Sequence, residues 1–268
     1  MNVSISRFLL EFCLLELMLS IPFWVLVALA QAGVIPNYQM VNALWSATPA
    51  IAVLILVYRR SGAEGVKAIL RRCFDYARIK SRKWYLPIFF VWPFIIFVMY
   101  EVARWTGQAP PSPQLSWLVP GTFILFFFLV YFEELAWTGY LIDPLQDKYG
   151  ALNGSLIVGV LWASFHGPVW LAAGWPLEWC AWQWVYVVAS RVLFVWMYNN
   201  AGRSLFAVAL IHPAFGCYFY LWPVSQNMGV PSFYDPRTLA LTTVALAAIV
   251  TFLWGARTLS RYRYARTS

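Results

Sequence analysis

Charged residues are scarce in this sequence. Only 11% of its 268 residues are Asp, Glu, Lys or Arg, whereas a soluble domain carries about 25%. Soluble globular, disordered and collagen-like chains are therefore poor matches. Apolar residues make up 62%, and the 16 Trp, 15 Tyr and 20 Phe fit aromatic side chains placed at lipid interfaces. The composition predicts an integral membrane protein.

Cysteine and the common metal-binding motifs are also scarce. The four cysteines lie far apart and form no CxxC pair, so neither a disulfide framework nor a zinc ribbon is predicted. No HExxH motif is present, and no Glu-x-x-His pair of the kind that builds di-iron bundles. We therefore expect no cofactor. A divalent metal held by the Glu and His residues described below is the open alternative.

Eight apolar stretches are candidate membrane spans, because a bilayer core about 30 Å thick needs roughly 20 apolar residues per helix. We predict an all-α polytopic membrane protein, a bundle of about eight transmembrane helices in a single domain, 1–268. Glu11 and Glu16 interrupt the first stretch, which favours a retained helix over a cleaved signal peptide. The stretches are 8–30, 42–58, 84–105, 118–141, 151–173, 179–198, 204–222 and 237–256.

The positive charges are unevenly distributed. The chain has 19 Lys and Arg against 11 Asp and Glu, a net charge of +8, and most of the basic residues lie in the loop 59–83 and in the tail after residue 256. The positive-inside rule predicts that this loop, the tail and both termini are cytoplasmic. The loop is amphipathic, and attraction to anionic membrane lipid explains its charge. Nucleic-acid binding is not predicted.

Four ionisable side chains lie inside the apolar stretches: Glu133 and Glu134 in the fourth, His166 in the fifth and His212 in the seventh. The two histidines are the only ones in the chain. A charge at mid-bilayer costs roughly 3 kcal/mol or more, so such residues need a function. One histidine alone is explained by a bond between helices. The adjacent carboxylates cannot both ionise cheaply, which suits the pair to hold a proton and act as a general base.

The helical rise predicts the depths of these residues. Glu133 and His212 each lie about 12 Å from the inner ends of their spans, and His166 about 22 Å. Helix tilt, or a fourth helix that continues toward Gly150, would bring them to one level. Arg191 lies near the inner end of the sixth span and is expected to snorkel to the headgroups. An ion pair between Arg191 and the glutamates is the less favoured interpretation.

Three segments resemble the motifs of a known family, the CAAX protease and bacteriocin-processing family of glutamic intramembrane endopeptidases, which is related to the type II CAAX prenyl protease. Its motifs are EExxxR followed by GY, an aromatic residue four positions before a His, and HxxxN. The family-like core is about 118–222. The matching segments are Glu133-Glu-Leu-Ala-Trp-Thr-Gly-Tyr140, Trp162-Ala-Ser-Phe-His166 and His212-Pro-Ala-Phe-Gly216.

The resemblance implies a catalytic role for each ionisable residue. Glu133 would be the base that activates water, assisted by His166. Glu134 would orient a partner or share the proton, and His212 would stabilise the oxyanion. The implied partners are membrane lipid and a peptide or protein substrate, prenylated or a bacteriocin-like precursor. The implied location is a bacterial cytoplasmic membrane.

Two positions depart from the family motifs. Thr138 stands where the family has Arg, and Gly216 stands where it has Asn. Asn199 or Asn200 is a candidate to supply the missing amide. The departures keep open a non-catalytic family member that binds a membrane or peptide partner. A proton-coupled transporter that uses the same Glu and His residues is a third, less favoured interpretation.

Overall fold

The structure is a computed structural model that describes residues 4–36, 44–224 and 229–260. Within these ranges it contains nine α-helices, joined by short 3-10 turns and loops, and no strand. The helices are α1 Ile5–Gln31, α2 Thr48–Arg71, α3 Tyr85–Trp105, α4 Leu118–Trp137, α5 Ile142–Tyr149, α6 Ala151–Ala172, α7 Leu177–Asn200, α8 Leu205–Tyr218 and α9 Pro236–Trp254.

Six of these helices are long and apolar enough to cross a membrane: α1, α3 with the turn before it, α4, α6, α7 and α9. The prediction of an all-α polytopic membrane protein is confirmed. The other two predicted spans are helical but shorter. α8 has 14 residues, and α2 is broken at Gly62, whose φ of +61° favours glycine. Residues 42 and 43 of the second predicted span lie outside the described residues.

The fourth span differs from its prediction. α4 ends at Trp137, the chain turns, and α5 is a separate helix of 8 residues that begins at Ile142. Of the two alternatives for the level of His166, the one in which the fourth helix continues toward Gly150 is therefore wrong. The turn and α5 add chain between α4 and α6, so α6 starts well beyond the end of α4. This offset lets a residue far along α6 meet a residue close to the end of α4.

The backbone at the end of α4 explains why the helix stops there. The N–H of Gly139 donates to the carbonyl of Glu134 at 2.8 Å, and that of Leu141 to Ala136 at 3.1 Å. These bonds span five residues and widen the last turn, a geometry that often marks functional positions. A Cβ atom at Gly139 would lie 2.6 Å from the carbonyl oxygen of Leu135. Glycine is therefore required at position 139, five residues after Glu134.

The most enclosed helix is α7. All of its residues from Ala189 to Tyr198 are buried, while α1 and α4 present many large apolar side chains at the surface. α6 approaches α7 closely at Gly159, where a Cβ atom would lie 3.0 Å from the Cα atom of Val188. Small residues permit such contacts between membrane helices. The core therefore lies along α7, and any polar group on this helix faces protein.

Part of the predicted basic loop is anchored to the start of α8. The carboxylate of Asp75 accepts hydrogen bonds from the Ser204 hydroxyl at 2.8 Å and from the backbone N–H groups of Leu205 and Phe206 at 3.2 and 3.1 Å. These donors are the unpaired groups of a helix N-terminus, so the carboxylate caps α8. The cap fixes the position of the short helix that carries His212. The tail arginines beyond residue 260 lie outside the described residues.

Candidate active site

The adjacent glutamates of α4 lie in different surroundings. The Glu134 side chain is fully buried, with 0% of its surface exposed. Its carboxylate accepts hydrogen bonds from three helices: from Arg191 at 2.8 Å, from His212 Nδ1 at 2.8 Å, and from the Thr138 hydroxyl just beyond its own helix. Four donor contacts use the acceptor positions of both oxygens. Glu134 is therefore an anchor with no free acceptor for a further ligand.

Arg191 does not snorkel, and that expectation is wrong. Its side chain is 0% exposed, and Nη1 donates to both oxygens of Glu134 and to the Thr138 hydroxyl at 3.2 Å. The less favoured interpretation, an ion pair with a glutamate, is what the structure contains. An isolated buried charge is too costly to retain, so each group requires the other. In the family motif, position 138 itself is an Arg. Here position 138 is Thr, and the guanidinium that reaches it comes from Arg191 on α7.

The indole ring of Trp162 connects the remaining groups. Its Nε1–H donates to Glu133 Oε2 at 3.0 Å, and the Arg191 guanidinium lies over its ring with Cζ 4.3 Å from the centroid. The rings of His166 and His212 meet it edge-on at centroid distances of 5.4 and 5.1 Å. Stacking on an aromatic face stabilises a desolvated cation. Three of the four ionisable residues singled out in the sequence therefore contact one tryptophan, and the fourth, Glu134, is connected to it through Arg191.

Glu133 is the more available carboxylate. It is partly exposed, and among the described residues it forms no ion pair, only the bond from Trp162. His166 lies one helical turn beyond Trp162, and its Nδ1 is 2.9 Å from the Trp162 carbonyl oxygen. Because a carbonyl only accepts, Nδ1 carries the hydrogen. In the neutral ring Nε2 is then free to accept a proton or a hydrogen bond.

His212 is held through the same ring nitrogen as His166, but by a carboxylate. A carboxylate accepts, so the His212 Nδ1 donates to Glu134 and the ring orientation is fixed by that bond. The side chain is 14% exposed, and its Nε2 is the edge left for a ligand. Both histidines thus carry a hydrogen on an anchored Nδ1 and present Nε2, His166 beside a backbone carbonyl and His212 beside a charged group. The catalytic assignment of these residues stays a prediction.

Position 216 has no side-chain amide. A Cβ atom at Gly216 would lie 3.2 Å from Cε2 of Phe126 on α4, so a longer side chain there requires the aromatic ring to shift by a few tenths of an ångström. The suggestion that Asn199 or Asn200 supplies the side-chain amide missing at position 216 is wrong. The Asn199 amide donates to Gln146 and to Thr258, both at 2.9 Å. The Asn200 amide is likewise held by the carbonyls of residues 196 and 259.

The site groups two carboxylates and two histidines without forming a recognisable metal centre. Within the described ranges, no three or more His, Cys, Asp or Glu side chains are arranged to hold a metal ion. The arrangement of Glu134 gives a reason, since its oxygens are occupied by Arg191, Thr138 and His212. Glu133, His166 and His212 remain the groups with atoms open to a water molecule or a substrate.

Comparisons with known proteins agree with the motifs. Residues 115–218 match the family model of type II CAAX prenyl endopeptidases, Rce1-like. A protein named CAAX prenyl protease 2 from Methanococcus maripaludis is 27% identical over 140 residues, which cover 49% of this chain and 51% of that protein. The alignment thus spans half the length of the relative. The resemblance to this family is confirmed, and all four ionisable residues lie in the segment that the family model matches.

Sequence reasoning ranked the two interpretations of Arg191 wrongly and gave the Trp162 indole no role of its own. The signal for Arg191 was a lone cation inside a largely apolar helix, far from any headgroup if the glutamates are its partner. Trp162 was identified only as the aromatic residue of the second motif, in a sequence that contains 16 tryptophans. Its position one turn before His166 is the mark that distinguishes it.

We expect Arg191→Leu to destabilise the protein by about 3–5 kcal/mol, because it leaves the Glu134 carboxylate buried without a counter-charge. Unfolding in detergent micelles, followed by circular dichroism, measures the loss. The double variant Arg191→Leu/Glu134→Leu should recover a large part of it, since the uncompensated charge is removed.

The matched control is Arg104→Leu. Arg104 pairs with Glu101 at 3.2 Å, but its side chain is 57% exposed, and exposed pairs contribute about 0–1 kcal/mol. Equal losses for the two variants would contradict the charge argument. The buried pair would then contribute no more than a surface pair.

Proposed function

We propose that this chain is an intramembrane endopeptidase of the CAAX protease type, which hydrolyses a peptide bond with a water molecule activated by Glu133. The observation that carries the proposal is the contrast between the two glutamates. Glu134 has all its acceptor positions in use, whereas Glu133 is partly exposed and holds one hydrogen bond, from Trp162. A general base needs a free lone pair within reach of the proton it takes. Glu133 is the carboxylate that has one.

The reaction follows from the orientation of the side chains. Glu133 takes a proton from water while the water oxygen bonds to the carbonyl carbon of the substrate, and Nε2 of His166 accepts the second hydrogen bond of that water. The negative oxygen of the tetrahedral intermediate is stabilised by His212, whose Nδ1–H is held by Glu134 and which donates from Nε2 when the ring carries a second proton. The carbon–nitrogen bond then breaks, and Glu133 returns its proton to the leaving amine.

The buried ion pair supports catalytic competence despite the departure at position 138. The family motif has Arg there, and this chain has Thr138, whose hydroxyl receives a hydrogen bond from Arg191. A guanidinium therefore still balances the carboxylate that orients His212. We infer that Arg191 of α7 supplies here the positive charge that the family Arg supplies from α4.

The substrate is a membrane-associated peptide or protein. The name of the relative from M. maripaludis favours the carboxyl-terminal segment of a prenylated protein, and a bacteriocin-like precursor is the second candidate within the family. We further propose a bacterial cytoplasmic membrane with both termini on the cytoplasmic side. In that orientation the C-terminal end of α4 and the N-terminal end of α8 face the cytoplasm, where such substrates are made.

One observation favours a second function, the binding of a peptide partner without cleavage. Gly216 supplies no side-chain amide, and the Phe126 ring lies close to the position of a Cβ atom there, at 3.2 Å. Loss of one oxyanion donor slows acyl transfer about 100- to 1,000-fold. A chain with that loss, and with the remaining groups intact, could still hold an extended peptide against His212.

We expect Glu133→Gln to lower cleavage at least about 100-fold, because the amide cannot take a proton from water. New peptide termini in membranes that contain the wild-type or the variant protein measure this without a guess about the substrate. Glu101→Gln is the matched control, since Glu101 lies at the far end of α3 and pairs with Arg104. It should leave every terminus unchanged.

The outcomes of this experiment separate the candidates. A terminus found with wild type and the control, but not with Glu133→Gln, supports the protease and identifies its target. Equal termini in all three samples, at equal expression, favour the peptide binder. An added chelator tests the open metal alternative: the proposed mechanism retains activity, whereas a loss that zinc restores would require a metal in the site.

We expect Gly216→Asn combined with Phe126→Ala to raise the cleavage rate at least about tenfold, because the pair admits an amide that can bind the oxyanion. Gly216→Asn alone should not, since its Cβ atom would meet the Phe126 ring at 3.2 Å. Cleavage of the substrate found above measures the rate. The control is Gly216→Leu/Phe126→Ala, which adds a side chain with the same branching at Cγ but without a donor. An equal gain in the control would contradict the role of the amide.

A further inference from the structure

A second buried carboxylate lies outside the site described above. Glu16 of α1 has 0% of its surface exposed, although most of α1 presents apolar side chains at the surface. Its Oε1 accepts hydrogen bonds from the hydroxyls of Ser20 at 3.0 Å and Thr48 at 2.8 Å. Its Oε2 has no hydrogen-bond partner among the described residues. No Lys, Arg or His of the described chain forms an ion pair with it.

The hydroxyls connect Glu16 to the site. Ser20 Oγ accepts a hydrogen bond from the Trp45 Nε1–H at 3.0 Å, and the Thr48 hydroxyl also lies 2.9 Å from the Trp45 carbonyl oxygen. The Trp45 ring in turn meets the His166 ring edge-on at a centroid distance of 4.9 Å. A continuous series of contacts thus runs from the carboxylate on α1 to the imidazole on α6.

The Trp45 ring completes the enclosure of His166. Trp162 and Trp170, on the same helix as His166, contact its ring at 5.4 and 5.6 Å. Trp45 is the contact that comes from another part of the chain. The bond between His166 Nδ1 and the Trp162 carbonyl holds only in one ring orientation. The Trp45 ring, packed edge-on against the imidazole, restricts its rotation away from that orientation.

We propose that Glu16 is a positioning residue for His166: it holds the Ser20 hydroxyl, Ser20 accepts from the Trp45 Nε1–H, and Trp45 fixes the imidazole with Nδ1 on the Trp162 carbonyl and Nε2 free. The hydrogen bond from Thr48 anchors the carboxylate to the start of α2. A buried carboxylate costs stability that an apolar side chain of similar volume would not. Glu16 offsets part of this cost by ordering two hydroxyls and one indole. A role of Glu16 in catalysis rests on the proposed function. Its effect on the orientation of the His166 ring does not.

The test uses the fact that the chain contains only two histidines. Protein with 15N-labelled histidine gives two imidazole signal sets, and the pattern of N–H couplings tells an Nδ1–H ring from an Nε2–H ring. In wild type, His166 is expected as the Nδ1–H form. We expect Glu16→Leu to convert it into a mixture of both forms and to leave His212 unchanged. On the substrate found above, kcat should fall about 10- to 100-fold with KM unchanged, as for a misplaced catalytic group.

Two further variants make the test specific. Glu16→Gln keeps an oxygen that accepts from both hydroxyls, so it should restore the wild-type His166 pattern. Glu11→Leu removes another carboxylate of α1, which pairs with Arg60 at 2.6 Å away from the site, and should change neither histidine. A His166 pattern that Glu16→Leu leaves unchanged overturns the proposal. It is also overturned if Glu16→Gln alters the pattern as much as Glu16→Leu, because charge rather than hydrogen bonding would then be the cause.

If Glu16→Leu fails to fold, Trp45→Phe decides the question. This variant keeps an aromatic ring beside His166 and removes the pyrrole part of the indole, whose N–H donates to Ser20. A mixed His166 pattern supports the proposal, and a pure Nδ1–H pattern contradicts it. The protease proposal fails separately, through unchanged cleavage by Glu133→Gln, and the histidine signals do not depend on that result.

Discussion

The pairing of Glu134 with Arg191 is the interaction on which the rest of the site depends. Both side chains are fully buried, and neither could stay charged there alone. Their contact fixes the distance between α4 and α7 and leaves the carboxylate oriented toward His212 on α8. Because α7 is the most enclosed helix, the pair sits where movement is most restricted. The free carboxylate Glu133 is therefore presented from a helix whose position is already set.

After the buried ion pair, aromatic packing is the second interaction that fixes the side chains of this site. Glu133, both histidines and the Arg191 guanidinium all touch the ring of Trp162. A flat, rigid ring has few rotamers to lose, so it can hold four polar groups at fixed separations at a small entropic cost. It also excludes water from one side of the cluster. Charges and dipoles in such a dry environment act more strongly on a substrate than they would in water.

The sequence predicted the helical membrane fold and the four ionisable residues, because both follow from composition and from polar groups in apolar stretches. It could not predict which helices are neighbours. The distance of Arg191 from its helix end can be read from the sequence, but its partner Glu134 cannot. Arg191 was therefore expected at the headgroups. The end of α4 was also misplaced. Apolar residues continue to Leu141, and the helix stops because of backbone bonds that no side-chain pattern reveals.

The separation of the buried pair along the chain bears on how the protein is made. Glu134 and Arg191 are 57 positions apart, so α4 leaves the ribosome and meets the bilayer well before α7 does. An arginine at the centre of a helix raises the cost of insertion by about 2.5–3.5 kcal/mol. We expect the Glu134 carboxylate, already present on α4, to offset that cost as α7 enters. Insertion of α7 and formation of the buried pair would then be coupled during synthesis.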